Sequence, residues 1–194
     1  MRKIILAILV FLSITSVAQD ESKLDFGVKI MFGGRYDNVR MCVASDAGVP
    51  GGIIADVMLL ARYRLQDKLH LTFELPVMRP ILFAAAYEML QFEPQFTLEY
   101  SKQLSNGDDL VFGLGLGISF HYGPDYLSDR KNENHSFFAV GPVFSTLLAY
   151  KFSNEAGTPR IIGIRPFYIP LFSNEPGYES GTILGGVVEF GYYF

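Results

Sequence analysis

Two side chains that could take part in nucleophilic catalysis, Ser119 and His121, lie two positions apart in the sequence. In a strand this spacing puts both on one face, where a histidine can accept the proton of a serine hydroxyl if an acid orients its ring. Such triads are recognised by geometry, and no further motif accompanies this pair. A serine hydrolase is therefore one hypothesis, and two polar side chains with a structural role are the other.

A larger group of ionisable residues is distributed along the chain, within segments that are otherwise apolar or small. Its members are Asp25, Lys29, Asp56, Arg62, His70, Glu74, Glu93, Glu99, His121, Lys151, Arg165 and Glu189. Charges removed from water persist only when they are paired and hydrogen-bonded. We interpret the group as an enclosed polar network, with Arg165 beside Glu189 and Arg62 beside Glu74. A path for protons or small solutes is the alternative.

The elements that must position these residues are segments in which large apolar side chains alternate with small or polar ones. In the clearest segment Phe112, Leu114 and Leu116 share one side, and Gly113 and Gly115 lie on the other. A period of two is typical of β-strands. The eight segments cover 24–32, 53–63, 69–77, 90–101, 111–122, 138–152, 162–168 and 184–194.

The bulky sides of these segments are too large to face inward. Eight strands in a barrel leave an interior only just wide enough for side chains to fill. Most segments have the ~9–11 residues that a tilted strand needs to cross a bilayer, and a closed barrel pairs all of its backbone groups internally. We therefore predict an all-β fold: an eight-stranded antiparallel up-and-down transmembrane β-barrel, with bulky sides toward lipid and small or charged sides in the lumen.

The N-terminal residues have the layout of an export signal. Arg2 and Lys3 precede an apolar stretch that ends in Ser16-Val17-Ala18, which predicts a signal peptide over 1–18 and a barrel domain over 19–194. Removing Arg2 and Lys3 from 16 basic residues, with all 20 acidic residues retained, gives a net charge of −6. This charge argues against a nucleic-acid partner. The single cysteine, Cys42, cannot form an internal disulfide.

Long and short connections alternate, which places both termini on the periplasmic side and the long loops outside. The charged loop over 125–134 is interpreted as solvated, with a partner or divalent ions as the alternative, and His135 lacks further metal ligands. Arg79 is predicted on the outer face near the external rim, either pairing with lipopolysaccharide phosphates or only positioning the barrel.

Six prolines lie within or beside the predicted strands. Each should either lose one hydrogen bond to the neighbouring strand or lie at a β-bulge. They are Pro76, Pro80, Pro94, Pro142, Pro166 and Pro170.

The chain resembles the small outer-membrane barrels of the OmpA/OmpX type and, more loosely, the short porin-family barrels of the Bacteroidetes. The most specific element is the end, where Phe190, Tyr192 and Phe194 place aromatic rings at alternate positions. This pattern resembles the signal that the outer-membrane assembly machinery binds. The resemblance implies the outer membrane of a Gram-negative bacterium, with membrane lipid and lipopolysaccharide as neighbours.

These observations favour a structural or surface-interaction role, in which the lumen is plugged by side chains and the external loops form the contact surface. A narrow pore or small-solute transporter is the alternative, and a lipid A-modifying hydrolase that uses Ser119 and His121 is a less favoured one. We expect no enzymatic activity and no cofactor, and we assign no catalytic, cofactor-binding or metal residues. No particular ligand of the loops is implied.

Overall fold

The computed structural model describes residues 23–37, 51–84, 90–124, 136–153, 159–173 and 180–194. Within these residues, nine β-segments and one short helix follow each other. They are β1 (Leu24–Asp37), β2 (Gly52–Gln66), β3 (Leu69–Pro76), α1 (Met78–Ala84), β4 (Leu90–Phe92), β5 (Gln95–Gln103), β6 (Asp109–Pro124), β7 (Ser136–Ser153), β8 (Pro159–Ser173) and β9 (Ser180–Tyr193). In the described part of the chain, no helix has the length and apolar character needed to cross a membrane.

Every strand pairs antiparallel with its neighbours, and β1 also pairs with β9, so the sheet closes on itself. The segments β4 and β5 are two parts of one strand, because both pair with β6 in the same register. Phe92 pairs with Phe120 and Gln95 pairs with Gly117, on either side of Pro94. The prediction of a closed, eight-stranded, antiparallel barrel is confirmed.

The two faces of the wall differ as the alternation predicts. On β6, Leu114 is 68% exposed and Leu116 is 59% exposed, whereas Val111 and Ser119 are completely buried. The bulky side of each strand therefore points outward. The interior holds the charged side chains together with two small apolar clusters, one around Met58 and the other around Ile169.

The prolines interrupt the pairing between strands, as expected of a residue without a backbone N–H. Pro76 is the last residue of β3, Pro94 separates β4 from β5, and Pro80 lies in the first turn of α1. Between β7 and β8, the Val140–Phe172 and Phe144–Tyr168 pairs flank a stretch, containing Pro142 and Pro170, in which the described strands form no pair. Gly141 allows close approach there, because a Cβ at this position would overlap the carbonyl oxygen of Pro170.

A short helix follows β3, where the sequence predicted only a connection to the next strand. The pairing of β2 with β3 stops at Met58 and Pro76, and Val77 donates one further hydrogen bond to Val57 at 2.9 Å. The helix α1 then contacts both β2 and β4.

Short connections join the strands at the end that holds the described termini, Lys23 and Phe194. We call this end the terminus side and the opposite end the loop side. The β2–β3 turn and the β5–β6 turn both lie on the terminus side, as predicted. Several predicted features lie outside the described residues, namely the signal peptide predicted over 1–18, Cys42, the charged loop predicted over 125–134 and His135.

Candidate functional site

The interior of the barrel contains most of the charged residues singled out from the sequence. Ten of the twelve are buried: Lys29, Asp56, Arg62, His70, Glu74, Glu93, Glu99, His121, Arg165 and Glu189. The other two, Asp25 and Lys151, line a cavity that opens on the terminus side. Alternation places them there, because each shares the inward side of its strand with a buried residue.

Four of these side chains form a closed set of ion pairs in the middle of the barrel, which we call the central network: Lys29, Glu74, Arg165 and Glu189. The Nζ atom of Lys29 lies 2.8 Å from Glu74 Oε2 and 3.1 Å from Glu189 Oε2. Arg165 contacts the same two carboxylates, with Nη2 2.9 Å from Glu74 and Nε 2.8 Å from Glu189. The two cations and two anions balance, and each is almost completely buried.

Neutral side chains complete the hydrogen bonding of the central network. Gln95 and Thr97 donate to the Glu74 carboxylate at 2.8 Å and 3.0 Å. Arg165 Nη1 donates to Thr97 Oγ1 at 3.1 Å and to Ser145 Oγ at 3.2 Å. The network therefore links β1, β3, β5, β7, β8 and β9 across the lumen. The predicted set does not include Gln95, Thr97 and Ser145. Each lies at an inward-facing position of its strand, so the alternation in the sequence could have identified all three.

One of the two expected pairs is present and the other is wrong. Arg165 pairs with Glu189, as predicted. Arg62 does not pair with Glu74; its Nε lies 3.3 Å from Glu99 Oε2 instead. Arg62 lies opposite Thr72, two residues from Glu74, and Arg165 lies opposite Val187, two residues from Glu189, so the offset is the same in both expected pairs. What differs is that Glu74 is already held by Lys29 and Arg165, which the prediction did not include.

A second group of charges, the loop-side cluster, comprises Arg35, Asp56, Arg79 and Glu93. Arg79 Nε lies 2.5 Å from Asp56 Oδ2, and its Nη2 lies 2.9 Å from Glu93 Oε2. Arg35 Nη1 lies 3.3 Å from the other oxygen of Glu93. Gln91 accepts hydrogen bonds from both arginines.

The position of Arg79 corrects the sequence prediction. We expected this side chain on the outer face near lipopolysaccharide phosphates, but only 11% of it is exposed and it points inward. The reason is α1, which ends the alternation of β3 and turns Arg79 toward Asp56. Arg35 is absent from the prediction because the first predicted strand ends at residue 32, whereas β1 continues to Asp37. Lys29 and Met31 face inward, and the same alternation continued past residue 32 places Arg35 on the inward side as well.

The Ser119–His121 pair lies beside this cluster, and Glu93 approaches the ring at the same nitrogen as Ser119, not at the position of a triad acid. Ser119 Oγ is 2.8 Å from His121 Nε2, and Glu93 Oε1 is 3.6 Å from the same nitrogen. A triad needs the acid on the other ring nitrogen, where it orients the histidine. Both side chains are completely buried. Within the described residues, no three His, Cys, Asp or Glu side chains are grouped to hold a metal ion.

Apolar side chains adjoin the polar groups in the middle of the lumen. A cavity of about 20 Å³ lies there, bordered by Met58, Val143 and Ile169 together with Glu93 and Arg165. This volume holds roughly one water molecule. The side chains between the central network and the loop-side cluster are therefore closely packed.

The three aromatic residues of the C-terminal pattern point away from the lumen. Phe190 is 54% exposed, Tyr192 is 42% exposed and Phe194 is 60% exposed. The ring centroids of Tyr192 and Phe194 are 6.3 Å apart. Because β9 pairs with both β1 and β8, these rings form a continuous row on the outside of the wall.

These features define the chain as a closed eight-stranded barrel with an ion-paired interior and an apolar exterior. Among solved structures it is similar to Neisserial surface protein A (NspA), with a TM-score of 0.63 and 10% sequence identity over 89% of this chain and 96% of that chain. At this identity the likeness shows the fold alone. Comparison with protein-family models gives no match, and comparison with curated protein sequences gives none either.

Proposed function

We propose that this protein is an integral β-barrel of the bacterial outer membrane, with a closed lumen and a structural or surface-interaction role. The observation that carries the proposal is the apolar outer wall. Ile30, Leu114, Ile164 and Phe190 are each more than half exposed, and similar residues surround the barrel. Contiguous apolar surface on this scale marks contact with a membrane or with another protein.

The distribution of aromatic residues on the outer wall supports contact with a bilayer. Tyr63 and Tyr100 are exposed near the terminus side, and Tyr36 and Tyr122 are exposed near the loop side. Such girdles mark the two interfaces of outer-membrane barrels. We infer that the apolar band between them crosses the hydrocarbon, with the terminus side in the periplasm.

The closed lumen is inferred from the central network. Its ion pairs join β1 to β3 and β3 to β8, so they cross the interior rather than follow one side of the wall. The neighbouring cavity is too small for a continuous column of water. A conducting pore would have to break several buried charge-assisted hydrogen bonds, each worth roughly 1.5–3 kcal/mol.

The role in the membrane is inferred from what the barrel presents outside. We propose that the external loops form the contact surface, and that Phe190, Tyr192 and Phe194 engage the outer-membrane assembly machinery during insertion. The similar fold of a neisserial surface protein is compatible with this role. The complete burial of Ser119 and His121 inside the lumen favours a non-enzymatic function over lipid A hydrolysis, because a lipid substrate would approach from outside the wall.

Two substitutions on the outer wall test the membrane placement. In Leu116→Arg a charge replaces an exposed residue near the middle of β6, and in Leu65→Arg the same change is made at the terminus-side end of β2. In refolded protein in lipid vesicles, the first should lower the free energy of unfolding by about 2–4 kcal/mol and the second by about 0–1 kcal/mol. Equal effects at the two depths would contradict a bilayer around this wall.

Planar-bilayer recordings of the same protein test the closed lumen. The wild-type barrel should insert without a steady conductance. A stable conductance that is changed by substitutions at Glu93 or Arg165 would reject the closed lumen and favour the narrow pore, while leaving the membrane placement intact.

A further inference from the structure

The terminus side of the lumen contains a polar cavity that the proposed function does not use. Its volume is about 460 Å³, and it is open to solvent. Arg62, His70, Ser101 and Lys151 are among the side chains that line it. This size lies within the range of pockets that hold small molecules.

The buried polar atoms around this cavity lack partners, unlike those of the central network. Within the described chain, every buried side-chain nitrogen or oxygen without a hydrogen-bond partner belongs to this region. These atoms are Nε and Nη2 of Arg62, Nδ1 of His70, Oγ1 of Thr72, Oε2 of Glu99 and Oγ of Ser101. Arg62, His70 and Ser101 border the cavity, while Thr72 and Glu99 lie one inward position deeper on β3 and β5. Leaving such groups unpaired costs about 1–3 kcal/mol each.

The Arg62 guanidinium is the part of this region that lacks well-directed hydrogen-bond acceptors. The Arg62 guanidinium can only donate, and Glu99 Oε2 approaches it to 3.3 Å without forming a well-directed hydrogen bond. The other side of Arg62 faces the Tyr193 ring, with Cζ 5.1 Å from the ring centroid. The Ser101 hydroxyl can donate as well. A ligand that satisfies these groups must therefore bring acceptor oxygens.

The charge around the cavity agrees with an anionic ligand. Four lining residues are basic, namely Arg62, Arg64, Lys68 and Lys151, and three are acidic, namely Asp25, Asp67 and Asp109. Asp109 and Lys151 pair with each other at 3.7 Å, which leaves three basic and two acidic lining residues. Glu99, beneath the cavity, lies 3.3 Å from Arg62 Nε and is the acid that competes with a ligand for this guanidinium.

We propose that this cavity binds a small oxyanion, a carboxylate or a phosphate group, with Arg62 as the main contact. The planar guanidinium matches the paired oxygens of either group. His70 on the neighbouring strand β3 and Ser101 on the next strand, β5, supply further polar contacts. Because Nε and Nη2 of Arg62 lie just below the cavity surface, binding turns the guanidinium toward the ligand. The proposal does not depend on where the barrel is located.

Titration of the folded full-length barrel in detergent micelles, followed by NMR, tests the proposal. Inorganic phosphate and acetate are the two probes, and chloride at equal ionic strength is the reference. We expect saturable shifts of signals from residues around the cavity with at least one oxyanion. Saturation by phosphate alone assigns a phosphate group, and saturation by acetate assigns a carboxylate.

Three substitutions separate binding by Arg62 from a general charge effect. Arg62→Gln should weaken binding at least about tenfold. Arg160→Gln removes a positive charge from an exposed residue of the same end that does not line the cavity, and it should leave the affinity unchanged. Glu99→Gln removes the acid that competes for Arg62 and should tighten binding severalfold.

If Arg62→Gln fails to fold, Glu99→Gln still tests the proposal, because its predicted effect is tighter binding of the oxyanion. Absence of saturable shifts with both oxyanions would overturn the proposal. So would equal affinity in the wild type and Glu99→Gln, or a loss in Arg160→Gln as large as that in Arg62→Gln.

Discussion

Removing one cation from the central network should destabilise the barrel more than removing the whole pair to which it belongs. In Arg165→Met the two carboxylates of Glu74 and Glu189 share a single ammonium group, that of Lys29, in an interior that is almost inaccessible to water. Arg165 makes ion pairs of 2.9 Å and 2.8 Å with these carboxylates. Breaking a buried pair by removing one partner costs about 3–5 kcal/mol, because the other charge stays buried.

A second substitution restores the balance of charge. In the double variant Arg165→Met, Glu189→Gln, the remaining Lys29 and Glu74 form one complete pair. Replacing a buried ion pair by residues of similar volume is often close to neutral. We therefore expect the double variant to be less destabilised than Arg165→Met alone, with a coupling energy between the two sites of about 2 kcal/mol.

Reversible urea unfolding of the refolded barrel gives the free energies for this cycle. Circular dichroism is the suitable probe, because the chain contains no tryptophan. Arg160→Met, at an exposed position, is the control and should change the free energy of unfolding by less than about 0.5 kcal/mol. Additive effects of the two substitutions, or a loss below about 1 kcal/mol in Arg165→Met, would refute a coupled network.

Two further changes test the wall of the barrel by the same unfolding assay. Gly141→Ala should cost about 1–3 kcal/mol, because the added methyl group overlaps the carbonyl oxygen of Pro170. Gly186→Ala is its control and should be nearly neutral, since its Cβ has no neighbour closer than 3.8 Å; equal losses at both positions would refute close approach at Gly141. Arg79→Met should cost about 3–5 kcal/mol by leaving Asp56 without its guanidinium partner and Glu93 with Arg35 alone, and a loss below about 1 kcal/mol would show that α1 is held by other contacts.

The strands and their faces could be predicted from the sequence because both depend on a local period of two. Phe112 and Leu114 are on the outside for the same reason that Gly113 and Gly115 are inside: adjacent side chains of a strand point to opposite faces. The volume of an eight-stranded interior then decides which face is enclosed. These arguments need no information on contacts between distant residues, so they hold for every regular strand.

The positions of residues on neighbouring strands do not by themselves decide which ion pairs form. Arg165 with Glu189 and Arg62 with Glu74 have the same two-residue offset, yet only the first pair forms, because Glu74 is held by Lys29 and Arg165. The contact of Lys29 with Glu74 spans an intervening strand, so it depends on the stagger of the closed barrel. That stagger is a property of the whole sheet, and a list of inward-facing residues does not contain it.

The helix α1 was missed for a different reason. Its seven residues, Met78–Ala84, are too few to show a helical period, and Pro80 resembles the other strand prolines. The tertiary context decides the outcome, because β2 and β4 provide contacts for a helix where β3 stops. Arg79 could therefore be placed only once the helix was known, and its contacts with Asp56 and Glu93 follow from that placement.

The interior charges differ in a way that separates stability from binding. The central network is saturated: Lys29 and Arg165 each contact two carboxylates, and the two oxygens of Glu74 also accept hydrogen bonds from Gln95 and Thr97. Such a network fixes which strands meet across the lumen, and a new ligand could enter only by breaking it. Around Arg62, donors exceed acceptors and a cavity adjoins them, so an added oxyanion gains hydrogen bonds without displacing any well-directed one. A small molecule that binds inside the wall of this barrel therefore breaks the fewest existing hydrogen bonds when it binds on the terminus side.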